Sequence, residues 1–232
     1  MAEGETTRAA VPGQPPRLTH EELQRAQAQT LAAPRRRYGI AARVLFILLD
    51  TLYGKPRTLG KFKVLELVAR VPYQAWEQVA FIAITHVHAD PDMARRVHSG
   101  VGEFRAQQDN EMYHLLIIEE LIARSGQPQP RIKFFWLPQV IAFVYYQLSW
   151  LLFVVRPSWS HRLNADFEDH AEYEYMIMVA ENSAWDSIPF ESTFAADFGD
   201  FASLADVFRQ IGHDERVHKL ESEAQMSEPR FR

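Results

Sequence analysis

The 232-residue chain contains no cysteine, which excludes disulfides, thiolate metal ligands and thiol-based redox control. Glycine is also scarce, at 10 residues, and a helical protein is favoured over a turn-rich sheet protein. There is no surplus of basic residues. With 25 Lys and Arg against 30 Asp and Glu, the net charge is -5, so nothing draws the chain towards nucleic acid and none is expected as a partner. The start has no apolar run of the secretory type, and Glu3, Glu5, Glu21 and Glu22 count against an organelle transit peptide. The chain is therefore expected to stay in the compartment where it is made. Residues 1–30 are polar and rich in Ala, Gln, Glu and Pro. They read as a disordered tail, most plainly over Met1–Pro16. Residues 31–225 suit one domain with ample length for a core, and 226–232 form a C-terminal tail.

Hydrophobic residues make up 47% of the chain and aromatics 12%, in a pattern that predicts an all-α fold. Ile40–Leu49 follows the basic run Arg35–Arg37 and is too short to cross a bilayer, which takes roughly 20 apolar residues. Phe134–Val155 is a 22-residue stretch without a charge and with eight aromatics, long enough to cross by length alone. Four amphipathic segments read as helices: about Leu59–His88 with a kink at Pro72, about Pro91–Arg124, about Pro157–Asn182, and about Phe201–Gln225.

Two of these segments carry Glu-x-x-His, as Glu111/His114 and Glu215/His218. That spacing sets a carboxylate and an imidazole one turn apart on one helical face. Each of the other two carries a glutamate in an apolar setting, Glu66 and Glu168, and a buried carboxylate is costly unless paired or bound to metal. The order Glu, Glu-x-x-His, Glu, Glu-x-x-His, with separations of 45, 57 and 47 residues, is the pattern of ferritin-like four-helix bundles with a di-metal core. Oxygen and nitrogen ligands without sulfur suit iron or manganese, and four glutamates neutralise two divalent ions. Taken singly, Glu66 reads better as a snorkelling surface residue and Glu168 as one acid in a solvated run; it is together with the two Glu-x-x-His pairs that they read as ligands. His86 and His88 point to different sides of a helix, His213 lies off the Glu215 face, and His20 and His161 lack an acidic partner at ligand spacing.

At these residues the sequence resembles the alternative oxidases, especially the plastid terminal oxidase branch. Lys63–Tyr73 resembles the first ligand motif, Asn110–Leu121 the second, Glu168–Ala171 followed by Tyr175 the third, and Asp214–His218 the fourth. The similarity covers about Tyr38 to Glu223. It implies a non-haem di-iron quinol oxidase that binds two iron ions (Fe2+/Fe3+). Such an enzyme oxidises plastoquinol or ubiquinol and reduces O2 to water without proton pumping. The resemblance carries the metal ligands onto the same six residues and implies Tyr175 as the tyrosine beside the centre. It sets Asn110 and Asp214 where they orient the histidines, and Lys61, Leu65, His170 and Ala171 in the quinol pocket. It also implies a homodimer. Departures from the mitochondrial pattern at Glu168-Asp169-His170, at Gly212-His213 and at Lys61 put the quinone preference in doubt. A bacterial, cyanobacterial or algal source is expected.

A single crossing by Phe134–Val155 would put Glu111 and His114 on one side of the bilayer and Glu168, Glu215 and His218 on the other. One metal cluster cannot be built across about 30 Å of hydrocarbon. Both apolar stretches are therefore expected as helices on one side, buried or lying in the interface plane. The result is a monotopic protein on a bacterial or thylakoid-type membrane, on its cytoplasmic or stromal side. Two other functions fit the residues: a di-iron hydroxylase acting on a quinone precursor or lipid, and a metal-free helical interaction protein at a membrane.

Overall fold

The computed structural model describes residues 15–227, and all regular structure among them is helical. The helices are α1 (His20–Ala32), α2 (Ile40–Tyr53), α3 (Leu59–Ala69), α4 (Val71–Val87), α5 (Pro91–Ser125), α6 (Leu137–Val155), α7 (Pro157–Glu181), the single turn α8 (Ala195–Phe198) and α9 (Leu204–Met226). A π-helical turn, Ile132–Trp136, leads into α6.

Four of them, α3, α5, α7 and α9, form the bundle, with α3 against α5 and α7, and α9 against α7 and α5. Local chemistry sets their ends. Asp90 caps α5 by accepting from the backbone N–H groups of Asp92 (3.1 Å) and Met93 (3.0 Å), and Pro91 follows at a position that needs no donor. The helix stops at Gly126, whose φ of 64° is left-handed and costs glycine nothing. Helices α7 and α9 make the most extensive helix–helix contact, and Gly212 of α9 faces α7 without a side chain. A Cβ there would lie 3.0 Å from Met176 Cε and 3.2 Å from Tyr175 Cβ.

Three expectations are corrected. The expected kink at Pro72 is a break: α3 ends and α4 begins around Arg70, whose backbone stays helical at φ -62°, ψ -26°. Proline removes a donor and crowds the carbonyl of the preceding turn, so Pro72 starts a new helix. The last helix begins at Leu204, not near Phe201, because the Ser203 hydroxyl accepts from the Asp206 N–H at 3.2 Å and caps it there. Finally, the expected tail over 1–30 is ordered from Pro15, while residues 1–14 and 228–232 lie outside the described residues. The Thr19/Glu22 capping box starts α1, and Leu23 and Ala26 are buried against α7 and α9. Gln27 also donates to the Met176 carbonyl at 2.9 Å. A stripe of Leu23, Ala26 and Thr30 is enough apolar surface to dock an otherwise polar helix.

Helices α2 and α6 flank the bundle, α2 on α7 and α6 on α4, α3 and α7. Their outer faces are bare: Ile40, Val44 and Ile47 on α2, and Val140, Phe143, Val144, Leu148 and Leu151 on α6, are at least half exposed. The run Ile132–Val155 is the one described helix long and apolar enough to cross a membrane.

Candidate metal centre

The six residues expected from spacing converge at the middle of the bundle. Glu66 comes from α3, Glu111 and His114 from α5, Glu168 from α7, Glu215 and His218 from α9. All six are essentially inaccessible to solvent. They form two quartets, Glu66, Glu111, His114 and Glu215, and Glu111, Glu168, Glu215 and His218, each with ligand atoms within 4.8 Å of one another.

Glu111 and Glu215 belong to both quartets, one oxygen turned each way. His114 Nδ1 lies 3.6 Å from Glu111 Oε2 and 3.2 Å from Glu215 Oε1. His218 Nδ1 lies 2.8 Å from Glu111 Oε1 and 3.9 Å from Glu215 Oε2. Glu66 closes the first quartet, 3.1 Å from His114 Nδ1, and Glu168 the second. This is the geometry of two half-sites bridged by two carboxylates.

The donor set fits a pair of hard divalent ions. Both oxygens of Glu111 and of Glu215, Glu168 Oε2 and both nitrogens of His218 are buried without an aligned hydrogen-bond partner. Buried polar atoms in such numbers call for a partner such as an ion. Electrostatics agree. Burial pushes the carboxyls of Glu66 and Glu168 up to about 7. Burial, reinforced by the charge of Glu111, raises Glu215 well above the usual range. For Glu111, burial is outweighed by His114 and His218, which hold it at about 2. Burial opposes a charge on His114, but Asp214 and the carboxylates around it prevail and raise it well above its ordinary value.

Around this core, Asp214 accepts from His114 Nε2 at 3.1 Å, which turns Nδ1 towards the carboxylates. Asn110 donates to the same Asp214 oxygen at 3.2 Å, and Gln210 to the other at 2.6 Å. Asp214 thus meets His114 directly and Asn110 acts on it only through Asp214, and neither is shown touching His218. Tyr175, fully buried, donates to Glu66. On the opposite side, Tyr73 donates to Glu168 at 2.8 Å, and Asn164 donates to the Tyr73 hydroxyl at 2.9 Å.

Sequence reasoning gave no role to Tyr73, Asn164, Gln210 or Arg17, whose guanidinium stands 3.4 Å from Asp214. Tyr73 did carry a signal: it follows Glu66 by the same seven residues that separate Tyr175 from Glu168. Arg17 carried none, lying 197 residues from its partner.

Of the expected pocket residues, Leu65 and Ala171 are buried beside the ligand glutamates. Lys61 pairs with Asp50 of α2 at 2.6 Å, and His170 stacks on Phe46 of α2 with centroids 4.0 Å apart. An apolar groove of about 280 Å³ lies between α2 and α6, and none of these four residues lines it. The other histidines serve elsewhere. His86 and His88 bond their own helix, His161 packs on Trp76, and His20 gains an unforeseen acidic partner in Asp206 at 2.8 Å. Two arginines of the basic run turn inward, Arg36 to Asp166 at 2.7 Å and Arg35 onto the Tyr173 ring at 3.4 Å.

The family model for alternative oxidase matches residues 19–225. Ubiquinol oxidase 4, chloroplastic/chromoplastic, of Arabidopsis thaliana is 36% identical over 132 residues, 55% of this chain and 33% of that protein. The matched stretch spans about a third of the length of this curated relative.

Proposed function

The chain belongs to the alternative oxidase family, and we propose that it is a membrane-associated quinol oxidase that reduces O2 to water at a di-iron carboxylate centre. The observation that carries this is the pair of buried half-sites sharing Glu111 and Glu215. The proposed ligands are Glu66, Glu111, His114, Glu168, Glu215 and His218. Two bound iron ions would supply the capacity to take O2 and accept electrons in pairs, so that two quinols and one O2 give two quinones and two waters.

The chain's own residues hold and shield that centre. Asp214, fixed by Asn110 and Gln210, keeps the His114 proton on Nε2 and leaves Nδ1 free as a ligand. Phe62 and Phe208 close over the Tyr175 ring at centroid distances of 4.4 and 5.9 Å, and Ile117 and Ile118 are buried on α5. Water is thereby kept from the acids. Tyr175 is proposed as the relay that supplies an electron and a proton next to Glu66.

Quinol lives in the bilayer, and the bare faces of α2 and α6 form one apolar surface suited to lie on it. The groove between them, lined by residues such as Val44, Leu48, Val144 and Leu163, is the proposed entrance, with Lys61, Leu65, His170 and Ala171 deeper in. Burial lowers His170 to about 4, which leaves a neutral imidazole able to accept a hydrogen bond from a quinol hydroxyl at neutral pH. A centre lying wholly to one side of the membrane would build no proton path across it, and oxidation without pumping is part of the proposal. The exposed Phe81 and Ile82 of α4 offer an apolar patch for a second copy, and a homodimer is proposed. The membrane side is taken as cytoplasmic or stromal.

The test is oxygen uptake by membranes supplied with quinol, together with iron content. Wild type is expected to hold two irons per chain and to consume O2 without inhibition by cyanide. Glu111→Ala, which breaks both half-sites, is expected to abolish uptake. Uptake unchanged in that variant refutes the proposal. An oxygenated organic product in place of water and quinone would favour a hydroxylase instead.

A further inference from the structure

The bundle repeats one spacing in its two halves. Tyr73 follows Glu66 by seven residues, and Tyr175 follows Glu168 by seven. Seven residues are close to two helical turns, so each tyrosine lies on the same side of the bundle core as the glutamate before it. The hydroxyls, however, cross over. Tyr175 donates to Glu66, and Tyr73 donates to Glu168 at 2.8 Å. Each glutamate that belongs to only one half-site is thus held by the tyrosine from the other half. The continuity of the first spacing across the α3–α4 break depends on Arg70 keeping helical torsions, which lets Tyr73 of α4 reach the centre.

We propose that Tyr73 is a positioning residue equivalent to Tyr175, fixing Glu168 in the Glu168/His218 half-site as Tyr175 fixes Glu66 in the other. This rests on the metal-site reading above. Tyr73 is fully buried and its ring meets the His218 ring edge to face at 5.8 Å, so it touches both residues peculiar to that half-site. Its hydrogen-bonding direction is fixed from behind. Asn164 Nδ2 donates to the Tyr73 oxygen at 2.9 Å and to Ser222 Oγ at 3.0 Å. With that donor on its oxygen, the phenol proton is left to point at Glu168 Oε1. The other oxygen, Glu168 Oε2, is buried without a partner and is the one available to an ion. The brace therefore selects which oxygen of Glu168 serves as ligand, a task that oriented outer hydrogen bonds perform in metal sites generally. His218 Nε2 is buried without a hydrogen-bond partner among the described residues, so no counterpart of the Asp214 bond to His114 steadies it, and Tyr73 packs against its ring instead.

The experiment compares wild type, Tyr73→Phe, Tyr175→Phe and Asn164→Ala, each loaded anaerobically with iron-57, by metal content and Mössbauer spectroscopy of the ferrous state. Tyr73→Phe is expected to shift half of the spectral area, to leave the other half as in wild type, and to weaken the second iron about 10- to 100-fold. Tyr175→Phe is expected to move the complementary half. Asn164→Ala, which keeps the phenol but frees it to turn, is expected to shift the same half as Tyr73→Phe by less; it decides the matter if Tyr73→Phe does not fold. A spectrum unchanged in both Tyr73→Phe and Asn164→Ala with two irons bound, or one altered equally in both halves, overturns the assignment and leaves the metal site standing. A wild-type protein that takes up no iron overturns both.

Discussion

If the six buried residues are metal ligands, filling the site must expel protons, and the structure sets a minimum. In the metal-free chain Glu66 and Glu168 titrate at about 7, so at pH 7 each holds roughly half a proton. Glu215 and His114 stand well above their ordinary values, and His218 is raised as well, so these groups hold further protons. Glu111, held at about 2, contributes none. The total exceeds about one proton per pair of divalent ions, all displaced on binding because ligands must be deprotonated. Metal and proton compete, so affinity rises with pH, and lowering the pH from 7 to 6 weakens the overall binding constant by more than about tenfold. The sign for stability follows the same groups. Carboxyls raised above their unfolded value favour the folded metal-free chain most below about pH 4.5, and that contribution is lost as pH rises through 7. His114, raised above its ordinary value, likewise stabilises the metal-free fold at low pH, and loses that as pH rises through its folded value. The gap in Tm between metal-loaded and metal-free protein therefore widens from pH 5 to pH 7. Titration calorimetry with Mn(II) in two non-chelating buffers of different ionisation enthalpy gives the proton count directly. Release of fewer than about one proton per two ions, or a Tm gap that narrows with pH, would refute the assignment of these groups as a protonated ligand cluster.

Three further outcomes are expected. Tyr175→Phe should keep two irons per chain while quinol-driven oxygen uptake drops at least about 100-fold, the low end for a general acid–base group; unchanged uptake would remove Tyr175 from the relay. Phe143→Lys together with Val144→Lys, both on the bare face of α6, should move the protein from vesicles to the supernatant in flotation assays without changing iron content, and retention on vesicles would count against that face. Gly212→Ala should lower Tm, because the added Cβ would sit 3.0 Å from Met176 Cε and 3.2 Å from Tyr175 Cβ. Overpacking of this kind costs about 1–3 kcal/mol, or about 2–4 °C per kcal/mol for a chain of this size, and an unaltered Tm would mean the helices do not approach so closely.

What could be read from sequence was whatever helical periodicity converts into a shared face. Glu111 and His114 are three residues apart, and that offset has one spatial meaning on a helix. Two such pairs and two lone glutamates therefore implied a common centre before any packing was known. Helix α1 was lost for the opposite reason. Its composition is polar throughout, and its three-residue buried stripe of Leu23, Ala26 and Thr30 is thinner than the face by which amphipathic helices are recognised. The inward turn of Arg35 and Arg36 was hidden too, since a run of basic residues beside an apolar stretch looks the same whether its partners are lipid headgroups or, as here, Asp166 and the Tyr173 ring.

Connections between helices far apart in sequence stayed out of reach, but not uniformly. Arg17 meets Asp214 because the segment before α1 crosses the end of the bundle, where Gln210 donates to the Pro16 carbonyl at 3.0 Å and accepts from the Leu18 N–H at 3.0 Å. No spacing rule anticipates a contact made by an irregular strap. Tyr73 is different. The repeated seven-residue interval was visible, and what obscured it was Pro72, which reads as an interruption of the helix just before the tyrosine. Because Arg70 keeps right-handed helical torsions through that interruption, the break changes the hydrogen bonding of the backbone without ending the periodicity of the side chains. A proline that begins a helix in line with the previous one preserves the register of ligand and brace on either side of it. Pairs such as Glu66 and Tyr73 can accordingly be sought across a proline whenever the second half of the chain shows the same interval unbroken.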